Sequence, residues 1–131
     1  MLDRSTIRKI AKARLRDARV LVSGKCYDGA AYLCGYAVEL ALKARICRTL
    51  HWPGYPETNK EFESLKSFKV HDLDVLLRLS GRESYVKSNH LVEWSAVAAW
   101  DPEARYKPIG SVSKVDADLM IKSAQRLIEK I

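Results

Sequence analysis

The fold is decided by "DGAAYLCGYAVELALKARICRTL", Asp28 to Leu50. Small residues recur through it at Ala30, Ala31, Cys34, Gly35, Ala37, Ala41 and Ala44, and Leu33, Tyr36, Leu40 and Cys47 set bulk beside them. Neither Pro nor a polar cluster interrupts it. Apolar or small side chains cover most of the circumference over the first four turns, which predicts a central, buried helix. At 1.5 Å per residue it would be about 35 Å long.

Working outward, the stretch from Asp3 to Ser23 places Ile7, Ile10, Ala11, Ala18, Leu21 and Val22 on one helical face, with Lys12, Arg16 and Arg19 on another. Gly24 reads as its C-cap and Asp28 as the next N-cap. After the central helix, "HWPGYPETNK" is a connection without regular structure. "HDLDVLLRLSG" predicts a short helix closed by Gly81. Glu83 to Trp100 predicts a long one, with Val86, His90, Trp94 and Val97 on one face and Asp101-Pro102 as its stop. "EARYKPIGS" is a loop, and Ser113-x-x-Asp116 opens a last helix carrying Ala117, Met120, Ile121, Ala124, Leu127, Ile128 and Ile131. No strand pattern and no repeat are evident. The expectation is one all-α domain over residues 1–131, an antiparallel up-and-down bundle of four long helices and one short helix.

Composition supports an ordinary globular chain: 131 residues, 47% hydrophobic, 30% charged. Three cysteines without C-x-x-C spacing fit free thiols better than a disulfide framework. The longest charge-free run, Gly29 to Val38, is too short for a membrane span, and "MLDRSTIRKI" lacks a signal-peptide core; a cytoplasmic protein is expected. The net charge of +7 is unevenly placed. Residues 1–25 hold eight basic side chains against Asp3 and Asp17, so they carry +6 of it. Such asymmetry suggests a polyanionic partner, with Lys12, Arg16 and Arg19 as candidate nucleic-acid contacts; a solvated helix face would look the same.

The stretch Ala13 to Ile46 resembles the first two helices of the HEPN domain family. The resemblance rests on Ala31, Tyr32, Ala37, Glu39, Leu42, Lys43 and Ala44, followed in order by "HDL" at 71–73 and "ARY" at 104–106. It implies a helical bundle, commonly a homodimer, often paired with a minimal nucleotidyltransferase as a toxin–antitoxin module. It also implies, for active members, metal-independent endoribonuclease chemistry through an R-x(4–6)-H pair. There arginine stabilises the phosphate and histidine helps move protons as the ribose 2′-OH attacks.

Arg45-x5-His51 fits that window. The residue types suit the task, since histidine titrates near neutrality and arginine meets phosphate bidentately. On a regular helix the two would lie about 120° apart around the axis and about 9 Å apart along it. Ribonuclease members carry the motif on a later helix, where His90 follows Arg82 with seven residues between, outside the window. Helix-end capping explains Arg45, Arg48 and His51 without catalysis. No ligand spacing signals a metal, and no cofactor is indicated.

Two further sites have double readings. Glu39, in "YAVELALKA", is either exposed and paired with Lys43 or buried and paired with a cation, for which Arg14 and Arg105 are the candidates. Trp94, Trp100, Tyr106 and Arg105 offer either a nucleotide-stacking surface or core packing. The leading reading is a dimeric binding module for RNA or a nucleotide, with a nucleotidyltransferase-type partner. The alternatives are an endoribonuclease and a purely structural interaction module.

Overall fold

The computed structural model describes all residues from Met1 to Ile131. Its elements are β1 (Leu2–Asp3), α1 (Arg4–Ser23), α2 (Tyr27–Thr49), β2 (Gly54–Tyr55), α3 (Asn59–Phe62), α4 (Leu73–Leu79), α5 (Glu83–Asn89), α6 (Leu91–Val97) and α7 (Lys114–Lys130). Single 3₁₀ turns stand at Lys66–Phe68 and Pro102–Tyr106. The fold class is all-α.

α2 is the axis. It packs against α1, α4 and α7, and α6 closes the bundle against α7. Thirteen of its 23 residues are buried, spread around its circumference from Ala30 to Cys47. The small side chains are needed where large neighbours approach. A Cβ built on Gly35 would lie 2.1 Å from Trp100 Cγ, so the indole lies directly on bare backbone.

α1 and α2 end by the same device. The N–H of Cys26 reaches back to Leu21 O at 2.8 Å and that of Lys25 to Val22 O at 3.0 Å. At the end of α2, Trp52 N–H bonds Cys47 O at 2.8 Å and His51 N–H bonds Arg48 O at 3.3 Å. These are Schellman pairs, which place one left-handed residue after each helix. Glycine is favoured there, yet the residues are Lys25 (φ 61°) and His51 (φ 57°). Gly24 does cap α1, one position before the left-handed residue. Asp72 and Ser113 cap α4 and α7 by accepting from Val75 N–H and Asp116 N–H, both at 3.1 Å.

Asp28 does not cap α2, which begins at Tyr27; its carboxylate accepts instead from Gly110 N–H and Val112 N–H. Three further expectations need correction. The long helix over 83–100 is two helices, because His90 leaves helical geometry at φ −137°, ψ 36°. The Asn89 amide donates to Tyr85 O at 2.9 Å, a local bond of the kind that competes with helix propagation. The apolar face survives the break: Val86, His90, Trp94 and Val97 are all buried. Second, the connection after α2 does pair. Leu2 and Asp3 lie antiparallel to Tyr55 and Gly54, tying the start of α1 to the exit of α2. Gly54 is fitted to this, since a Cβ there would meet Leu2 O at 2.6 Å. Third, the "EARYKPIGS" loop begins inside the Pro102–Tyr106 3₁₀ turn.

Candidate functional site

The uneven charge of the sequence has a spatial counterpart. Arg4, Arg8 and Lys12 recur at intervals of four, so they stack along one side of α1. Arg45 and Arg48 project from the last turns of α2, and Arg82 from the link between α4 and α5. All six, with Lys130 of α7, line one cleft of about 270 Å³ whose apolar wall includes Ala11, Ala41, Ala44 and Ile128 and whose acidic side chain is Glu129. The alanines matter: larger residues there would fill the space between the cations.

Two of the cations are fixed by the end of α7. Arg45 Nη1 donates to Ile131 O at 3.2 Å and Arg82 Nη2 to Lys130 O at 2.7 Å. The Arg82 guanidinium also lies 3.9 Å from the centre of the Tyr85 ring. Arg45 and Arg82 each keep a buried Nε–H without an acceptor. Burial, then the nearby Arg82 and Arg48 charges, pull the Arg45 guanidinium below its ordinary value. Arginine remains charged through such a shift. Arg4, Arg8, Lys12, Arg48 and Lys130 have no carboxylate within ion-pair distance and no hydrogen-bond partner for their side chains. The cleft thus gathers mutually repelling cations, two of them already oriented.

Of the α1 cations expected to contact nucleic acid, Lys12 lines the cleft. Arg16 points to solvent, with its side chain 74% exposed and its Nε 4.0 Å from Asp17. Arg19 Nη2 donates to Gln125 Oε1 on α7 at 2.5 Å. The three are not drawn into one cluster, but they continue the Arg4–Arg8–Lys12 stripe within about 120° of helical arc. The regular spacing of Arg4 and Arg8 before Lys12 was a usable signal for the cleft. Nothing in the sequence signalled Arg82, which joins through tertiary packing.

Arg45 and His51 do not hydrogen-bond each other. Helix α2 stops at Thr49, so His51 sits beyond it on the left-handed residue that ends the helix. Both side chains line a shallower depression beside the cleft, together with Arg4, Arg48 and Trp52. His90 is buried with its ring 5.5 Å from that of Tyr85, edge to face.

Glu39 is buried, 1% exposed, but the arginine pairing is replaced by another. Its Oε1 faces His71 Nδ1 at 2.5 Å and Lys43 Nζ at 3.8 Å. Arg14 is engaged three residues along its own helix, with Asp17 at 2.5 Å. Arg105 lies over the Tyr106 ring at 4.8 Å on the far connection. Trp94 and Trp100 are core residues; Trp94 Nε1 donates to Asp74 Oδ1 at 3.0 Å. Of the proposed stacking set, Tyr106 and Arg105 are exposed and the two tryptophans are not. No three His, Cys, Asp or Glu side chains converge on a metal position, and no helix is long and apolar enough to cross a membrane.

Comparison with curated proteins and with solved structures gives no match. The HEPN domain family model, by contrast, matches residues 5–131. That span takes in the α1–α2 hairpin, the buried glutamate, the "HDL" turn that meets it and the closing helix, and by it the chain belongs to the HEPN domain family.

Proposed function

We propose that this HEPN domain binds RNA through its phosphate backbone. The seat is the cleft between α1, the end of α2 and Arg82, and the contact extends along the α1 stripe through Arg16 and Arg19. The observation that carries the reading is the convergence of seven basic residues on one small cleft, five of them with unpaired side chains. Such a cluster is repulsive in isolation and is relieved by a polyanion. The small wall residues and the fixed forks of Arg45 and Arg82 suit phosphate oxygens. In keeping with the family, the working unit is a cytoplasmic homodimer allied to a nucleotidyltransferase-type protein in a toxin–antitoxin-like pair. Exposed Leu91, Val92, Val115 and Leu119 supply apolar surface for such assembly.

The test is fluorescence anisotropy of a single-stranded RNA against salt concentration. Six phosphate contacts give a log–log slope of about −4. A flat salt response, or equal binding after Lys12, Arg16 and Arg19 are replaced by alanine, would end the reading. Binding of an acidic protein but not of RNA would instead favour a structural interaction module.

A second reading has its own observation: Arg45 and His51 line one depression that adjoins the cleft. A bound RNA strand would then pass a histidine able to transfer protons at the 2′-OH, with arginine at the phosphate. Cleavage in EDTA by the wild type, lost in folded His51→Ala and Arg45→Ala proteins, would make the domain an endoribonuclease. Binding without cleavage leaves it a binding module.

A further inference from the structure

Burying a carboxylate is costly unless its charge is met, and the group that meets it shows what the burial serves. Glu39 is sunk in the middle of α2, whereas the side chain of its nearest partner, His71, is 60% exposed. A carboxylate only accepts, so Nδ1 of His71 carries the hydrogen and Nε2 is the nitrogen left to offer. A charge in the core therefore fixes the direction of a ring at the surface.

That surface is concave. A cleft of about 330 Å³ lies between α2 and the 54–71 connection, walled by Tyr36, Leu40, Tyr55, Phe62 and Phe68. His71, Lys43 and Lys69 line it too, against one acid, Glu57. Lys43 Nζ stands 5.3 Å from the Tyr55 ring centre and Lys69 Nζ 5.9 Å from that of Phe62, so both ammonium groups hold to aromatic faces. The size is that of a small-molecule site, in which flat apolar walls bind and a few polar groups orient. It shares no residue with the basic cleft.

We propose that this cleft is a second ligand site, taking a small aromatic anion. The ring packs against Tyr55 and Phe68, and the carboxylate or phosphate is received by Lys43, Lys69 and His71, the last as an imidazolium that donates from Nε2–H while its Nδ1–H stays on Glu39. His71 is the orienting contact, and Glu39 acts through it as a positioning residue.

The test is an NMR titration of the full chain with phenyl phosphate and with benzoate. Inorganic phosphate and phenol serve as probes of charge alone and ring alone. Saturable shifts at Leu40, Tyr55, Phe68 and the His71 ring are expected, with a Kd below about 1 mM for one or both aromatic anions and weaker binding of either control. His71→Ala should weaken binding at least about tenfold, while Arg8→Gln and Arg48→Gln leave it unchanged. If His71→Ala does not fold, Lys69→Ala, at an exposed position, should still weaken binding severalfold. Shifts confined to Arg45 and Arg82, no saturation, or undiminished affinity in the variants would overturn the proposal and leave the Glu39–His71 pair as a clamp on the connection.

Discussion

At the C-terminal end of α2, seven basic residues meet one acidic side chain in an open cleft; midway along the same helix, one acid is buried and a histidine and a lysine come to it. The first arrangement costs the fold little, because exposed like charges are screened, and the negative end of the α2 dipole favours Arg45 and Arg48. It supports little as well, for the side chains of five of the seven bond nothing in the domain. The second has no such dipole help and no solvent to share. Its carboxylate is held by a hydrogen bond to His71 and by Lys43, and the fold depends on both being there. Charge in the open cleft is available to a partner, and charge in the core is already committed.

Glu39→Ala should therefore have the largest effect on stability. The lost charge-assisted bonds and the cavity amount to about 2 to 4 kcal/mol. The cost stays below the extreme for a stranded buried cation, since His71 and Lys43 can turn to water. Glu39→Gln keeps an acceptor for Nδ1–H and should cost less than half as much. Urea midpoints that are unchanged in the alanine variant would break the contrast at its buried end.

At the open end the signs separate. Arg8→Gln with Arg48→Gln should leave the urea midpoint within about 0.5 kcal/mol. The same pair should weaken RNA binding roughly tenfold, about 1.4 kcal/mol, and flatten the salt slope by about 1 to 2. A stability loss matching the binding loss would mean these cations are structural after all.

The smallest effect belongs to His51. As the left-handed residue after α2, it is less suited than glycine, and His51→Gly should raise stability by about 0.5 kcal/mol. Measured beside RNA cleavage, the variant separates a helix terminator from a catalytic group: more stable and equally inert if the former, more stable but newly inactive if the latter.

The fold was legible where periodicity and capping agree. Helices α1, α2 and α7 follow their apolar spacing, and Asp72 and Ser113 sit where their side chains can accept from the first turn. The break at His90 was not legible because burial continues through it; periodicity reports which side chains face the core, not whether the backbone ladder is intact. The same limit applied to the sites. Lys12 and Arg45 could be picked out from charge and spacing, whereas Arg82 enters only through tertiary folding, which brings its guanidinium to Lys130 O at the end of α7. For Glu39 the sequence left two readings open, exposed beside Lys43 or buried against Arg14 or Arg105; the fold buries it and keeps Lys43, but Asp17 already held Arg14, and a histidine 32 residues on had the reach.

The burial of the middle of α2 also sets the order in which the molecule opens. α1 is joined to α2 by a three-residue turn, so those two helices stay near each other even when the rest loosens. α7, by contrast, arrives from the far end of the chain, and its departure exposes only one side of α2. Amide protons of α7 should therefore exchange with solvent through partial openings. Those between Ala37 and Ile46 should exchange only when the whole domain unfolds, which makes the middle of α2 the internal gauge of its global stability.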